Sequence, residues 1–238
     1  MLLEVKDLNT YYGDSHALRD MSLNVEQGEI VALLGRNGMG KSTTMKSIMG
    51  LLKPRSGEVR FKGQNITGLA PYKVAKTGIG YVPEERRIFP NLTVLDNLRM
   101  GIKHGRNVKQ PDNNAWTIER IFKHFPFMQE RTHQKGSLLS GGEQQMLAIG
   151  RTLMGNPKLL MVDEPTEGLA PVMVKEVRDV LADINQTGVS ILLIEHNLKV
   201  AMSLANRVYL MGKAHLGFTG TKEELDARPD IRAKYLEV

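Results

Sequence analysis

Eight residues, GRNGMGKS at positions 35–42, constrain the possible folds of this chain more than any other segment. The apolar run before them, residues 29–34, predicts a buried strand, and residues 43–49 predict a helix. A glycine-rich turn between a strand and a helix is the setting in which the pattern G-x-x-x-x-G-K-S predicts a phosphate-binding loop. Taken alone, the segment is also compatible with an ordinary glycine-rich turn.

Each residue type in this loop suits the binding of a polyphosphate. Gly35, Gly38 and Gly40 allow the backbone to wrap closely, so that successive N–H groups point at phosphate oxygens. The N-terminus of the following helix adds unpaired N–H groups and the positive end of its dipole. We expect Lys41 to contact the β- and γ-phosphates and the Ser42 hydroxyl to ligate Mg²⁺.

The composition is that of one large α/β domain or two small ones, since 238 residues with 41% apolar side chains can bury a substantial core. A net charge of +6 from 32 basic and 26 acidic residues is too dilute to predict nucleic-acid binding. The sequence contains no cysteine, which excludes a disulfide framework and thiol chemistry. No apolar run approaches the ~20 residues of a membrane span, so we expect any membrane association to come through a partner.

The middle of the chain differs from its two ends. Residues 84–139 are rich in Lys, Arg, His and Asn and predict a mostly helical insertion between two blocks of α/β sequence. Within it we expect helices at 93–100 and 116–125 and a loop-like patch at 105–114. The outer blocks predict strands at 2–8, 18–25, 58–61, 78–82, 159–162 and 190–194, a turn at 11–14, and helices that begin near Pro71, Pro171 and Thr221.

A second candidate site for an anion precedes a predicted helix, residues 146–154. Ser140, Gly141 and Gly142 lie before this helix and offer a hydroxyl, little steric bulk and free backbone N–H groups, which together suit an anion. The same three residues also fit a simple helix cap with glycines for clearance. From these residues alone, the helix cap is the favoured interpretation.

Acidic residues follow one predicted strand, and a histidine follows another. Asp163 and Glu164 end the apolar run 159–162, and His196 follows the run 190–194. The carboxyl ends of parallel strands border the crevice where α/β folds bind ligands. We therefore expect Asp163 to hold Mg²⁺ and Glu164 to polarise an attacking water. A solvated strand end is the alternative for the two carboxylates, and His196 is as readily structural as functional.

The order of these segments resembles that of the ATP-binding subunits of ABC transporters. The order is the phosphate loop, LSGGEQQ at 139–145, an apolar strand into Asp163 and Glu164, and a later strand into His196. Asp163 lies 23 residues beyond Ser140. The resemblance covers essentially the whole chain, and the ordered set is far more specific than any one motif.

The resemblance implies one ATP-binding domain over residues 1–238. Its fold would be α/β, with a P-loop NTPase (RecA-like) core that includes an antiparallel β part, 1–83 and 161–238, and an inserted helical subdomain, 84–160. It also implies ATP and Mg²⁺ as ligands. The catalytic residues would be Glu164, His196 and Lys41. The implied ATP contacts are Tyr12, stacked on adenine, and Gly35, Asn37, Gly38, Gly40, Lys41, Ser42 and Thr43. The implied Mg²⁺ ligands are Ser42, Asp163 and Glu84.

The family further implies a head-to-tail dimer in which Ser140, Gly141 and Gly142 close on ATP bound by the other subunit. Two departures from the family pattern are present. Glu84 replaces the usual glutamine, and a carboxylate can ligate Mg²⁺ but cannot donate a hydrogen bond. Ala170 replaces the usual aspartate, which alters the loop expected to communicate across the dimer.

Finer features are similar to the shorter ATPase subunit of branched-chain, hydrophobic amino acid importers. They lie at residues 83–87, 143–150, 167–171 and 230–236. The ATPase subunit of urea or amide importers is similar around residues 165–168, so either solute class is compatible with the sequence.

The resemblance implies that the chain hydrolyses ATP to drive the import of branched-chain, hydrophobic amino acids, with import of urea or amides as the alternative. Its partners would be a second, different ATPase subunit, two membrane permease subunits and, indirectly, a periplasmic binding protein, with no nucleic acid. The chain would lie at the cytoplasmic face of the inner (plasma) membrane, held there by the permease. The alternative from another class is a nucleotide switch with no transport role. The dilute basic charge and the single phosphate loop disfavour it.

Overall fold

The computed structural model describes residues 1–102 and 115–236, and the predicted loop-like patch at 105–114 lies outside them. One of its two sheets is antiparallel and has four strands in the order β2-β1-β4-β5. These strands are β1 (Leu3–Tyr12), β2 (Ser15–Val25), β4 (Ser56–Phe61) and β5 (Gln64–Asn65).

The second sheet has six strands in the order β10-β9-β3-β8-β7-β6. All neighbouring strands are parallel except the edge strand β10, which is antiparallel to β9. The strands are β3 (Ile30–Gly35), β6 (Ile79–Val82), β7 (Leu159–Asp163), β8 (Ser190–Ile194), β9 (Arg207–Gly212) and β10 (His215–Gly220).

The parallel strands are continuous apolar runs because both faces of this sheet are covered. Successive side chains of a strand point to opposite faces, and the structure follows this alternation. Leu159 and Met161 of β7 pack toward the antiparallel sheet, whereas Leu160 and Val162 pack toward the helices. The phosphate-loop strand β3 is buried along its whole length, which fixes the loop that follows it.

Helices cover the face of the parallel sheet that is turned away from the antiparallel sheet, and the helix after the phosphate loop packs between the two sheets. In the middle of the chain, several helices lie between β6 and β7. The assignment of residues 84–160 to a separate helical subdomain stays a prediction. The helices are α1 (Lys41–Ile48), α2 (Pro71–Thr77), α3 (Val94–Arg99), α4 (Ile118–His124), α5 (Pro126–Glu130), α6 (Gly141–Leu153), α7 (Pro171–Gln186), α8 (Leu198–Leu204), α9 (Lys222–Asp226) and α10 (Pro229–Leu236).

Most predicted elements are found, and the differences have local causes. The predicted turn at 11–14 is wrong in its first half, because Tyr11 and Tyr12 pair with His16 and Ser15 and extend β1 to Tyr12, so that the turn is confined to residues 13–14. The sequence reasoning missed β9 and β10. The apolar run of β9 is too short to distinguish a strand from a helix, and β10 is interrupted by glycine.

One buried amide, that of Asn97 in α3, holds the segment that follows β6. Its Nδ2 donates to the carbonyl oxygens of Phe89 and Thr93, both at 3.0 Å. Its Oδ1 accepts from the backbone N–H of Phe89 at 2.8 Å. Asn97 is fully buried, so water cannot replace these bonds without a change of structure.

We predict that Asn97→Ala lowers the free energy of unfolding by about 1–3 kcal/mol, because it leaves buried backbone groups without partners. Urea unfolding would measure the change. Arg99→Ala in the same helix is the control. Arg99 is exposed and its ion pair with Asp96 contributes only about 0–1 kcal/mol. Equal stability of the two variants would contradict the role given to Asn97.

Candidate nucleotide-binding site

A cleft of about 780 Å³ opens at the carboxyl ends of the parallel strands. This volume lies within the range of small-molecule sites. Most residues expected at an ATP site line it. They are Tyr12, Asn37, Gly38, Gly40, Lys41, Ser42, Thr43, Glu84 and Glu164, and the cleft is completed by residues that include Ser15, His16, Arg19, Glu167 and Lys213.

The phosphate loop has the backbone that its glycines predict. Gly38 and Gly40 have φ values of 75° and 102°, a region that favours glycine. A Cβ at Gly40 would lie 2.8 Å from the Met211 side chain and 2.9 Å from the Ala17 carbonyl oxygen. Helix α1 starts at the next residue, Lys41. The loop therefore presents backbone N–H groups and a helix N-terminus to the cleft, which suits a polyphosphate.

Lys41 is the buried cation of this cleft, with 4% of its surface exposed. Its Nζ donates to the carbonyl oxygens of Gly35 at 2.9 Å and Arg36 at 3.1 Å. The same nitrogen lies 3.7 Å from Glu164 Oε1. Burial lowers the pKa of Lys41, and the negative charges of Glu164 and Asp163 oppose that change. Added phosphate charge would favour the ammonium form further.

Ser42 and Asp163 form an oxygen-rich pair beside the loop. The Ser42 hydroxyl donates to Asp163 Oδ1 at 3.1 Å, and the Tyr81 hydroxyl donates to Oδ2 at 3.2 Å. Burial raises the pKa of Asp163, while the hydrogen bonds from Ser42 and Tyr81 lower it. A hydroxyl and a carboxylate are hard oxygen donors of the kind that Mg²⁺ prefers, so this pair fits the cation that accompanies ATP.

Tyr81 was not among the residues predicted from sequence. Its position on β6 could have indicated that it lies beside Asp163. Tyr81 pairs with Met161 of β7, two residues before Asp163, so it lies on the same side of the sheet.

Glu164 and His196 come together as expected from their positions after β7 and β8. The Glu164 N–H donates to the Ile194 carbonyl oxygen at 2.9 Å, and Glu164 has a φ of 48°. That left-handed backbone is uncommon for a residue with a side chain. His196 Nε2 lies 2.6 Å from Glu164 Oε1.

Burial sets the protonation of this pair. It raises the pKa of Glu164 to about 7, although the Lys41 charge opposes the shift. Burial also lowers the pKa of His196, and the Lys41 charge lowers it further. Glu164 therefore has a pKa close to neutral pH, as suits a group that exchanges protons there.

Three carboxylates gather at the cleft wall. One oxygen from each of Glu84, Glu164 and Glu167 lies within 4.8 Å of the others. Burial raises the pKa of Glu84, and the neighbouring Glu167 charge raises it further. Glu167 was not among the site residues predicted from sequence, although its place three residues after Glu164 could have indicated that it lines the cleft.

Tyr12 and its neighbour Tyr11 have different environments. Tyr11 stacks on His16 with ring centroids 4.1 Å apart, and the Arg55 guanidinium lies over it at 3.9 Å. Tyr12 is half exposed at the cleft rim. Tyr12 therefore has surface open to a ligand, as stacking on adenine requires.

The signature segment, residues 139–145, lies outside the set of described residues that line the cleft. Ser140 caps α6 through a capping box: its Oγ accepts from the Glu143 N–H, and its own N–H donates to the Glu143 carboxylate at 2.8 Å. A Cβ at Gly142 would overlap Met173, and one at Gly141 would lie 2.8 Å from Arg86 Nη1. The structure thus gives these residues the helix-cap and clearance roles, and their contact with nucleotide stays a prediction.

Within residues 1–102 and 115–236, no helix has the length and apolar character needed to cross a bilayer.

Comparison with known proteins begins with sequence. The model of the ABC transporter family matches residues 18–167. The branched-chain amino acid transport ATP-binding protein BraG of Pseudomonas aeruginosa is 38% identical over 99% of both chains. The probable branched-chain amino acid transport ATP-binding protein LivF of Archaeoglobus fulgidus is 36% identical over 94% of both. The lipopolysaccharide export ATP-binding protein LptB of Haemophilus influenzae is 32% identical over 99% of this chain and 97% of its own.

Solved structures agree with the sequence matches. An ATP-binding cassette of an ABC transporter in its ADP conformation superposes with a TM-score of 0.82, at 28% identity over 99% of this chain and 97% of that one. A dimeric cassette in a post-hydrolysis state, bound to ADP and phosphate, gives a TM-score of 0.78 at 26% identity over 93% and 99%. The fold is therefore the α/β P-loop NTPase core with an antiparallel β part and helical insertion. The chain belongs to the ABC transporter family, as one of its ATP-binding, ATP-hydrolysing subunits.

Proposed function

We propose that this chain hydrolyses Mg²⁺-bound ATP to drive the import of branched-chain, hydrophobic amino acids through separate membrane permease subunits. The observation that carries the choice of solute is the 38% identity to BraG over nearly the full length of both chains. The similarity to LivF supports the same solute class. The chain is also similar to LptB, at a lower identity, so lipopolysaccharide export is the alternative function. The uptake experiment below distinguishes the two functions.

In the proposed mechanism, the phosphate loop and α1 bind the phosphates of ATP through backbone N–H groups, and Lys41 neutralises charge on the β- and γ-phosphates. Ser42 and Asp163 would hold Mg²⁺, with Glu84 as a further oxygen donor. The cation supplies charge neutralisation and orientation of the phosphates when it is bound. Tyr12 would stack on the adenine from the cleft rim.

Glu164 is the proposed general base. Its carboxylate lies 3.7 Å from Lys41 Nζ and therefore close to the expected position of the γ-phosphate. A pKa near neutrality suits the removal of a proton from an attacking water. His196, at 2.6 Å from the Glu164 carboxylate, holds that side chain in place and contributes a second polar group toward the γ-phosphate.

The proposed active form is a head-to-tail dimer. None of the described residues that line the cleft belongs to the signature segment of the same chain. In the proposed dimer, the other side of the ATP would be closed by a second subunit, through its Ser140, Gly141 and Gly142. ATP would then join two anion sites on different chains. We infer that the second subunit is a different, longer ATPase. Two permease subunits would complete the transporter, together with a periplasmic binding protein. This chain would lie at the cytoplasmic face of the inner membrane.

For the proposed base, we predict that Glu164→Gln retains ATP binding but slows hydrolysis about 10²–10⁴-fold, equivalent to roughly 3–5 kcal/mol of barrier. Phosphate release and the binding of a fluorescent ATP analogue would be measured on the same preparation. Glu130→Gln, at an exposed position in α5, is the matched control and should change neither quantity. Normal turnover by Glu164→Gln would remove Glu164 from the mechanism.

For the dimer, we predict that Ser140→Ala impairs hydrolysis while the chain still binds the ATP analogue through Lys41. Lys41→Ala should instead weaken the binding itself. Thr221→Ala is a matched control for the loss of a cap, since Thr221 forms the same capping box at the start of α9. Full activity that does not depend on protein concentration or on an added partner ATPase would contradict the dimer.

For the solute, we predict that deletion of the gene from its host reduces uptake of labelled leucine, isoleucine and valine. The wild-type gene should restore uptake and a Lys41→Ala gene should not, which shows that nucleotide binding is required. Labelled urea is the control solute. Loss of urea uptake alone, or a defect in lipopolysaccharide at the cell surface with normal amino acid uptake, would overturn the proposed solute.

A further inference from the structure

Glu195 is a buried acidic residue to which the proposed mechanism gives no role. Only 3% of its surface is exposed, and in the described part of the chain no Lys, Arg or His forms an ion pair with it. It follows Ile194 at the end of β8 and directly precedes His196. A carboxylate buried without a cation needs several hydrogen bonds to offset its lost hydration.

Those hydrogen bonds come from two different loops. The Thr166 hydroxyl and the Thr166 N–H both donate to Glu195 Oε1, at 2.6 Å and 3.1 Å. The Asn197 N–H donates to the other carboxylate oxygen, Oε2, at 3.0 Å. One carboxylate thus connects the loop after β7 with the loop after β8.

Each of these loops carries one residue of the proposed catalytic pair, Glu164 and His196. Thr166 lies two residues after Glu164, whereas Glu195 and Asn197 flank His196. The backbone supports the pair from the other side, because the Glu164 N–H donates to the Ile194 carbonyl oxygen. The loops that carry Glu164 and His196 are therefore joined at two places. One is the backbone hydrogen bond between Glu164 and Ile194, and the other is the Glu195 side chain with its bonds to Thr166.

We propose that Glu195 and Thr166 are positioning residues for ATP hydrolysis: their hydrogen bonds fix the separation and orientation of Glu164 and His196. Neither residue is among the described residues that line the cleft at Lys41; both line a neighbouring pocket together with Glu164 and His196. They act through the two loops. A displacement of about 1 Å in a catalytic group is enough to slow a reaction about 10²-fold. This inference rests on the roles proposed above for Glu164 and His196.

The proposal predicts a loss that is confined to the chemical step. Thr166→Val keeps the shape of the side chain and removes its hydroxyl, and Glu195→Gln replaces one acceptor oxygen with an NH₂ group that faces another donor. We expect either change to lower kcat about 10- to 100-fold while KM and the affinity for a fluorescent ATP analogue stay within about twofold. Thr166→Ser, which keeps the hydroxyl, should restore most of the turnover.

The experiment measures steady-state ATP hydrolysis, binding of the ATP analogue and thermal unfolding of the full-length chain for each variant. Thr77→Val is the matched control. Its half-buried hydroxyl donates to the Val74 carbonyl at the end of α2, so the same chemical change is made away from the cleft. The Thr166→Val, Glu195→Gln double variant should be no slower than the slower single variant, because both single changes break the same connection.

The outcomes separate this inference from the proposed function. Wild-type turnover in both Thr166→Val and Glu195→Gln, with Glu164→Gln inactive, would overturn the positioning role and leave the proposed base intact. Equal losses in Thr166→Val and Thr166→Ser, with a lowered unfolding temperature, would assign Thr166 to stability alone and would also overturn it. Wild-type turnover in Glu164→Gln would instead refute the proposed function on which the inference rests.

Discussion

The parallel pairing of β3, β8 and β7 is the constraint on which the site depends. Ile194 pairs with Leu33 on one side and with Asp163 on the other, so the three strands end almost level. The phosphate loop and the segments that carry Glu164 and His196 therefore leave the sheet at one edge. A shift of one strand by a single residue would turn its side chains to the opposite face. The burial of both faces of the sheet opposes such a shift, so the core determines the geometry of the cleft.

Two opposing effects act on the charged groups of the cleft. Burial favours their neutral forms, and their attraction for each other favours the charged forms. Lys41, Asp163 and Glu164 are all buried, and electrostatic interactions are stronger there than in water. Burial lowers the pKa of the lysine and raises the pKa values of the two acids, while their mutual attraction opposes all three shifts. A polyphosphate beside Lys41 strengthens its ammonium form and disfavours ionisation of the nearby acids. A divalent cation has the opposite effect on the acids, which is consistent with nucleotide and cation binding together.

Sequence reasoning identified the parts of the site that are local in the chain. The phosphate loop, Asp163, Glu164 and His196 were predicted because each ends or follows a buried apolar strand. The parallel sheet brings them together, and their chemical roles stay a prediction. Contacts that depend on register between strands were missed, such as Tyr81 with Asp163 and Thr166 with Glu195. The edge strand β10 was also missed, because only Leu216 and Phe218 carry its apolar alternation and two of its six residues are glycines, which are a weak strand signal. The pair of tyrosines shows the same limit, because only the structure separates the packed Tyr11 from the half-exposed Tyr12.

The capping box at α6 determines which residue types could occupy position 140. The Ser140 hydroxyl accepts the Glu143 N–H, so one of its lone pairs is committed and its proton remains to be donated. Aspartate and asparagine cap helices as well as serine does. Aspartate would bring a negative charge to the positive end of the helix, and neither residue would offer a hydroxyl donor to an approaching anion. Helix stability alone would also accept threonine, which forms the same capping box at Thr221. Of these four residue types, only serine and threonine give position 140 a neutral side chain that can donate an O–H hydrogen bond.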